Sequence, residues 1–436
     1  MKVVVGLGAT GLSCVDYLLR QGHEVVAMDS ASAPAGYLNL KNKHPGVTCI
    51  LGDINFSVLS QAEEIIISPG VPVEKVTVPT KNIPIVGDVE LFARVIEHPV
   101  YAITGSNGKT TVTTLVGEMA HAANRKAAVA GNIGTPVLDF MLADQYDLYV
   151  LELSSFQLET TYSLKPRAAT ILNVTPDHLD RYRDMNEYLR AKQRIYHECE
   201  YPIVNADEAW MWQSLSLSKN KITFSLQQQN TDYGLEKIGN RIYLRRRGER
   251  LLDVADMRLQ GLHHWQNALA ALAFGEVMQL PDDLMLNVIC NFSGLVHRCQ
   301  WVRNKNGVDW YNDSKATNVG ATETAIKSLG NQLQGKLILL AGGLGKGADF
   351  SVLKPCVQHY VSDVILFGQD AFKIAQALQA VTNLHHVNSL QEAVWLADRL
   401  AKAQDKVVLA PACASFDMFA NYMDRGEQFI KAVEAL

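Results

Sequence analysis

Several things are missing from this chain. It has no Cys-x-x-Cys pair: its seven cysteines lie scattered at Cys14, Cys49, Cys199, Cys290, Cys299, Cys356 and Cys413. An odd count at wide spacing excludes a disulfide framework and a zinc site, and fits reduced thiols in a cytoplasmic protein. No uncharged apolar run is long enough to cross a bilayer, so membrane insertion is not expected. The N-terminus enters a strand at residues 2–5 and lacks the longer apolar stretch of a signal peptide. There is no strong excess of either charge, the formal net charge being −5, which argues against a protein that mainly binds nucleic acid. Tandem repeats and low-complexity tracts are absent too. What remains is 436 residues of ordinary globular composition, enough for two or three domains.

The most informative stretch runs Ala102-Ile103-Thr104-Gly105-Ser106-Asn107-Gly108-Lys109-Thr110-Thr111. An apolar run at residues 100–103 predicts a buried strand. A glycine-containing turn follows, then Lys109, two threonines and a helical stripe of Val112, Leu115, Val116 and Met119. This is the order of a phosphate-binding loop. Backbone N–H groups of Gly105, Ser106, Asn107 and Gly108 and a helix N-terminus would surround a phosphate. Lys109 would reach the outer phosphates, and the Thr110 hydroxyl would ligate Mg²⁺. The common pattern has a further glycine where Ile103 stands here. The segment alone implies a nucleoside triphosphate and leaves its use open.

A βαβ series fills the first part of the chain, to about Asp88. Strands are expected at residues 3–5, 24–28, 48–51, 64–67 and 83–86, and a helix carrying Leu12, Val15, Leu18 and Leu19 ends near Gly22. Gly6-x-Gly8-x-x-Gly11 after the first strand, with Asp29 ending the second, fits a dinucleotide fingerprint and would suit a nicotinamide cofactor or a nucleotide sugar. The second α/β unit carries strand patterns at residues 127–130, 148–153 and 168–174, then a basic alternating stretch at 203–254 that reads as antiparallel edge strands. Glu152 ends a strand there, where a carboxylate can hold Mg²⁺. The polar cluster Asn173-Val174-Thr175-Pro176-Asp177-His178 follows another strand, so His178 is a candidate metal or substrate contact. Lys192 lies in a helical pattern whose logic alone makes it a surface lysine.

A third unit begins near Gly294. Its strands are expected at residues 308–311, 336–341, 363–367 and 406–410, and three polar turns follow them. These are Asn312-Asp313-Ser314-Lys315-Ala316-Thr317-Asn318, the glycine-rich turn around Lys346, and Pro411-Ala412-Cys413-Ala414-Ser415-Phe416-Asp417. The last is read as placing Ser415 at a helix N-terminus. In open parallel sheets ligands bind at the C-terminal ends of strands, so these turns are candidate sites.

In order and spacing the chain resembles the Mur ligase family. The carriers are Gly105-Ser106-Asn107-Gly108-Lys109-Thr110-Thr111, Ala130-Gly131-Asn132-Ile133-Gly134, Glu152-Leu153-Ser154-Ser155-Phe156-Gln157-Leu158-Glu159, the His178 and Lys192 segments, His297-Arg298, and the Asp313, Lys346 and Ser415 turns. The turns at Asp313 and Ser415 point to the member that adds D-glutamate to UDP-N-acetylmuramoyl-L-alanine. The resemblance implies an α/β fold of three domains: a Rossmann-like UDP-substrate domain over residues 1–88, a central P-loop-type ATPase-like domain over 89–293, and a Rossmann-like amino-acid domain over 294–436. It implies ATP, two Mg²⁺ ions, a CO₂-derived carbamate on Lys192, small-molecule substrates only, and a cytoplasmic monomer. Lys109, His178 and Lys192 would be catalytic, with Thr110, Glu152, His178 and carbamylated Lys192 as metal ligands. Asn267, Arg298 and Asp313 join the phosphate loop on the nucleotide. Gly8, Thr10, Gly11, Ser68, Gly70 and Asn132 fall to the UDP-substrate, and Thr317, Lys346, Ser415 and Tyr422 to D-glutamate. Two departures stand out: His263-His264 replaces the common His-Asn, and no basic residue follows Asp29.

Overall fold

The computed structural model describes residues 1–78, 81–142, 145–177, 181–330 and 333–436. It divides into two compact units, Met1–Gln260 with His264–Asn291, and Gly261–His263 with Phe292–Leu436. The first unit holds two sheets and the second holds one.

The first sheet has five parallel strands in the order β3-β2-β1-β4-β5, formed by β1 (Lys2–Val5), β2 (Val25–Asp29), β3 (Thr48–Leu51), β4 (Glu64–Ile67) and β5 (Ile85–Val86). Val3, Val4, Val5 and Ile65, Ile66, Ile67 are buried on both faces, which is why these strands are continuously apolar. The helix Ala9–Arg20 packs its expected stripe inward and closes with Gly22 in the left-handed region and His23 N–H on the Leu18 carbonyl. At Gly11 any Cβ would run into the Gly6 carbonyl oxygen, so the turn needs a glycine there for packing alone. Asp29 is spent locally: its carboxylate accepts from Leu7 N–H at 2.7 Å and Ala31 N–H at 2.9 Å. The dinucleotide-style acid thus builds the turn.

The second sheet has nine strands in the order β14-β13-β12-β11-β10-β9-β6-β8-β7. These are β6 (Val100–Thr104), β7 (Ala127–Gly131), β8 (Leu148–Glu152), β9 (Ala168–Ile171), β10 (Tyr201–Asn205), β11 (Ile222–Phe224), β12 (Tyr233–Ile238), β13 (Arg241–Arg246) and β14 (Glu249–Asp253). Antiparallel pairing at β12–β13 and β13–β14 forms the expected edge. β6 lies between β8 and β9, with Ile103 beside Glu152 and Thr104 beside Ile171, so three strand ends open on one rim. β9 stops short of the expected residue 174. Asn205 Nδ2 takes the Leu172 carbonyl at 3.0 Å, and Asn173 turns its side chain to the phosphate loop.

One apolar cluster runs through both sheets of this unit, from Val4 and Val15 to Leu151 and Ile171. Glu90 staples the joint, accepting from Tyr162 N–H, Ser163 N–H and Ser163 Oγ at 2.7–2.9 Å. Asp88 begins the helix Asp88–Ala93 and is 1 % exposed, and burial pushes its carboxyl up to about 6 from 3.8. The native state therefore holds this proton more tightly than the unfolded chain. Ionisation as the pH rises from about 4 to about 6 costs the native state up to about 3 kcal/mol. Asp88→Asn cannot ionise. Its stability relative to wild type should climb through that window and level off above it, as read by urea unfolding at each pH. A difference independent of pH would contradict this.

The third sheet has the order β15-β16-β20-β17-β18-β19, from β15 (Gln300–Lys305), β16 (Val308–Asn312), β17 (Leu337–Gly342), β18 (Val361–Phe367), β19 (Asn383–His386) and β20 (Lys406–Leu409). All neighbours are parallel except β15 and β16. The sequence pattern did not reveal β15 and β19. Both are polar edge strands, where one side of the ladder faces solvent and no apolar run is needed. All seven cysteines are free thiols. Among the described residues no helix is long and apolar enough to cross a membrane.

Candidate active site

The phosphate loop leaves β6 at Thr104 and enters the helix Lys109–Ala122, with Gly108 as N-cap at φ +82°. A Cβ on Gly108 would lie 2.6 Å from Asn267 Oδ1, so the loop needs glycine there and Asn267 sits directly against it. Two of the loop N–H groups are used by the protein itself. Ser106 N–H donates to the Asn173 carbonyl at 2.9 Å, and Asn107 N–H to Asn173 Oδ1 at 2.8 Å. Asn173 Nδ2 returns a bond to the Asn107 carbonyl at 3.1 Å. Asn173 is therefore a template for the loop, a role the sequence pattern did not assign. The helix N-terminus at Lys109, Thr110 and Thr111 opens on the same loop. Lys109 Nζ donates to the Gly105 and Ser106 carbonyls at 2.8 and 3.0 Å.

Glu152 ends β8 beside this loop and is 2 % exposed. Its Oε1 accepts from Asn132 Nδ2 at 2.8 Å, while its buried Oε2 has no hydrogen-bond partner among the described residues. An orphaned carboxylate oxygen is costly in a protein interior, and a cation or donor arriving there repays it. Asn132 is held at this point by its own N–H on the Glu152 carbonyl, after Gly131 at φ +100°. Asn132, expected at the UDP-substrate, is thus bonded to Glu152, the expected Mg²⁺ ligand at the end of β8.

Lys192 overturns its expectation as a surface residue. It sits on the helix Met185–Gln193 and is 1 % exposed. Its Nζ donates to the Gly105 carbonyl at 3.0 Å and lies 4.6 Å from the centre of the Tyr188 ring. Lys109 donates to that same carbonyl, so two lysines share one acceptor. Burial, followed by the Lys109 charge, pushes the Lys192 ammonium well below the ordinary lysine range, against the opposing pull of Asp177 and Glu152. Tyr188 ties this helix to the loop, its hydroxyl 3.3 Å from Ser106 Oγ. His178 lies outside the described residues. Among the described residues no three His, Cys, Asp or Glu side chains form a metal cluster.

In the first sheet the candidate residues Gly8, Thr10 and Gly11 follow β1, and Ser68 and Gly70 follow the neighbouring β4. Ser68 Oγ donates to the Gly6 carbonyl at 2.9 Å, so its hydroxyl first serves to join the two turns.

The second unit gathers its three polar turns at the ends of β16, β17 and β20. Leu344 and Ala414 exchange two backbone hydrogen bonds of 2.9 Å, which ties the Lys346 turn to the Ser415 turn. Arg425, fully buried, donates to Ser314 Oγ, the Ser314 carbonyl and the Cys413 carbonyl at 3.0, 2.8 and 3.1 Å. Ser314 Oγ passes the chain on to the Tyr422 carbonyl at 2.8 Å. This arginine organises the turns carrying Asp313, Thr317, Ser415 and Tyr422, and nothing in the sequence pattern of its amphipathic helix signalled that. Ser415 is not at a helix N-terminus. It follows the Ala414 bridge and opens a turn, and the next helix starts at Tyr422 with Asn421 as its cap. Lys346 is exposed at φ +53°, and Lys315 Nζ lies 3.9 Å from the Tyr422 ring centre. Burial pushes the Asp313 carboxyl up to about 6, opposed by the charge of Arg298 nearby.

Family models for the Mur ligase MurD-like N-terminal domain, the Mur ligase middle domain and the Mur ligase glutamate ligase domain match residues 1–87, 103–275 and 297–413. The chain is 49 % identical over 439 residues to the UDP-N-acetylmuramoylalanine-D-glutamate ligase of Coxiella burnetii, covering 100 % of this chain and 99 % of that one. It is 46 % identical to the ligase of the same name from Hahella chejuensis, over 99 % of this chain and 98 % of the relative. Among solved structures, the UDP-N-acetylmuramate-alanine ligase of Thermotoga maritima matches with a TM-score of 0.64 at 16 % identity, covering 100 % of this chain and 99 % of that chain. That likeness speaks to the fold.

Proposed function

The chain belongs to the Mur ligase family, and from this we infer that it joins D-glutamate to UDP-N-acetylmuramoyl-L-alanine, cleaving ATP to ADP and phosphate. The observation that carries this reading is the meeting of Lys109, Glu152 and Lys192 at the rim where β6 and β8 end. The substrate choice follows the full-length relatives.

The reaction brings anions together. A carboxylate oxygen of the alanyl group attacks the γ-phosphorus of ATP and ADP departs, leaving an acyl phosphate. The D-glutamate amine then attacks the acyl carbon, phosphate leaves with that oxygen, and the amine loses a proton. Positive charge at the loop must outweigh the repulsion of the first step. Lys109 exchanges its two carbonyl acceptors for phosphate oxygens, and the first-turn N–H groups of the helix face the same anion. Asn267, against Gly108, contacts the adenosine side.

Mg²⁺ fits the donor set, because Glu152 Oε2 is buried and without a partner among the described residues and the Thr110 hydroxyl is in the first turn of the adjacent helix. Glu152 and Thr110 would hold one ion, and His178 with a carbamylated Lys192 a second; bound Mg²⁺ supplies charge neutralisation to the phosphoryl and carboxylate oxygens. Lys192 suits carbamylation because burial and Lys109 favour its neutral amine, the form that adds to CO₂ with loss of a proton. The resulting anion relieves the crowding of two lysines at one carbonyl.

Gly8, Thr10, Gly11, Ser68 and Gly70 bind the uridine diphosphate part without help from Asp29. Thr317, Lys346, Ser415 and Tyr422 bind D-glutamate, and Arg298 and Asp313 reach the nucleotide. The enzyme works as a cytoplasmic monomer on small molecules. Phosphate release is the test: it should require ATP, UDP-N-acetylmuramoyl-L-alanine and D-glutamate together. Equal release with the amino acid omitted would overturn the reading.

A further inference from the structure

We propose that Arg181 is a positioning residue that holds the UDP-substrate turn of the first sheet in register with the catalytic rim of the second. The turn is residues 68–71. It is closed by Val71 N–H on the Ser68 carbonyl at 2.9 Å and anchored to β1 by Ser68 N–H on the Val5 carbonyl at 3.0 Å. On its outer side it meets one guanidinium. Arg181 Nη1 donates to the Pro69 carbonyl at 3.2 Å and Nη2 to the Val71 carbonyl at 3.4 Å. These carbonyls flank Gly70.

The other side of the same guanidinium belongs to the second sheet. Nη2 also pairs with Glu159 Oε2 at 3.2 Å, and the group lies over the Phe156 ring at 4.2 Å from its centre. Phe156 and Glu159 are on the helix Ser155–Glu159, which begins three residues after Glu152 and is fixed by a Ser154–Gln157 capping box. A short rigid path therefore runs from Glu152 through this helix and Arg181 to Gly70.

A cleft of about 320 Å³ opens at this contact, with Val73, Glu74, Glu187 and Arg190 among its lining residues. The peptide between Pro69 and Gly70 is not cis, so its N–H and carbonyl point opposite ways. Binding the Pro69 carbonyl to Arg181 thus turns the exposed Gly70 N–H away from the guanidinium, where it serves as a donor to an anionic substrate group. Two carbonyls two residues apart suit the planar arginine fork; a lysine ammonium offers one point of charge.

This inference rests on the ligase reading, and its test separates the two. Arg181→Lys keeps the charge and the Glu159 partner but loses the fork. It should raise the KM for UDP-N-acetylmuramoyl-L-alanine about tenfold, with KM for ATP and D-glutamate within about twofold of wild type. Glu159→Gln leaves the bonds to the turn in place and should raise the same KM less than about threefold. Calorimetric binding of the UDP-substrate without ATP should weaken in step with its KM. Unchanged KM values for Arg181→Lys, a uniform rise for all three substrates, or a variant that melts well below wild type would assign the residue to the fold alone. A wild-type enzyme inactive on these substrates would instead sink the ligase reading.

Discussion

Alanine at position 109 is expected to lower turnover by about a thousandfold, with protein yield and melting temperature close to wild type. Lys109 is partly exposed at the mouth of a loop that has other anchors besides its two bonds to the Gly105 and Ser106 carbonyls. The backbone there is set by Asn173, Gly108 and the start of the helix. What the lysine supplies is positive charge next to a phosphate that an anion attacks. Removing one such preorganised donor costs about 3–4 kcal/mol of transition-state stabilisation, or roughly 10²–10³ in rate. Arginine should restore little, because its broad fork does not fit where one ammonium lies between the Gly105 and Ser106 carbonyls. A loss below about tenfold, measured as phosphate release at saturating substrates, would mean the loop serves some other purpose.

Lys192→Ala is the second large effect, expected at about a hundredfold or more in turnover, because on the proposed reading it removes a metal ligand and with it several kcal/mol of charge stabilisation. The form of the loss matters more than its size. Lys192 is buried beside Lys109, and both factors shift it toward the neutral amine, the form that the proposed carbamylation requires. Wild-type enzyme in CO₂-purged buffer should slow, and bicarbonate should restore it. The alanine variant should ignore bicarbonate and regain part of its rate with acetate, whose carboxylate can enter the space the carbamate leaves. A variant that stays inactive under acetate, paired with a wild type indifferent to CO₂, would make Lys192 a structural prop under the loop, donating to Gly105 and nothing more.

How much of this was legible beforehand depended on the range of the interactions involved. The phosphate loop, Glu152 at a strand end and the glycines are local signals. They arise from a strand-turn-helix pattern that the chain carries within about ten residues. The buried parallel strands were legible for the same reason, each being a continuous apolar run. Lys192 was misplaced because its helix has polar residues on several faces. Only tertiary packing decides that Tyr188 and Lys192 turn toward the loop. Asn173, Arg181 and Arg425 act through bonds to backbone carbonyls and N–H groups far away in sequence, and such bonds leave no spacing pattern. Asp29 was the reverse case: a motif-like acid with one oxygen on its own turn at Ala31 and the other on the glycine turn at Leu7. The Ser415 turn was read as a helix start because it follows a strand. The bridge to Leu344 instead holds Ala414, the chain then makes a short turn closed by the Met418 and Phe419 N–H groups on the Ser415 carbonyl, and the helix begins only after Asn421.

The most direct measurement of the central claim is a one-pot competition with product analysis by mass. Enzyme, ATP and UDP-N-acetylmuramoyl-L-alanine are offered D-glutamate, L-glutamate, L-alanine and a diamino acid together. The account predicts a single new product, the UDP-substrate plus one D-glutamate less water, with phosphate released in equal amount and no product when D-glutamate alone is withheld. Incorporation of another of these amino acids in preference to D-glutamate, or phosphate release without any amide product, would contradict it.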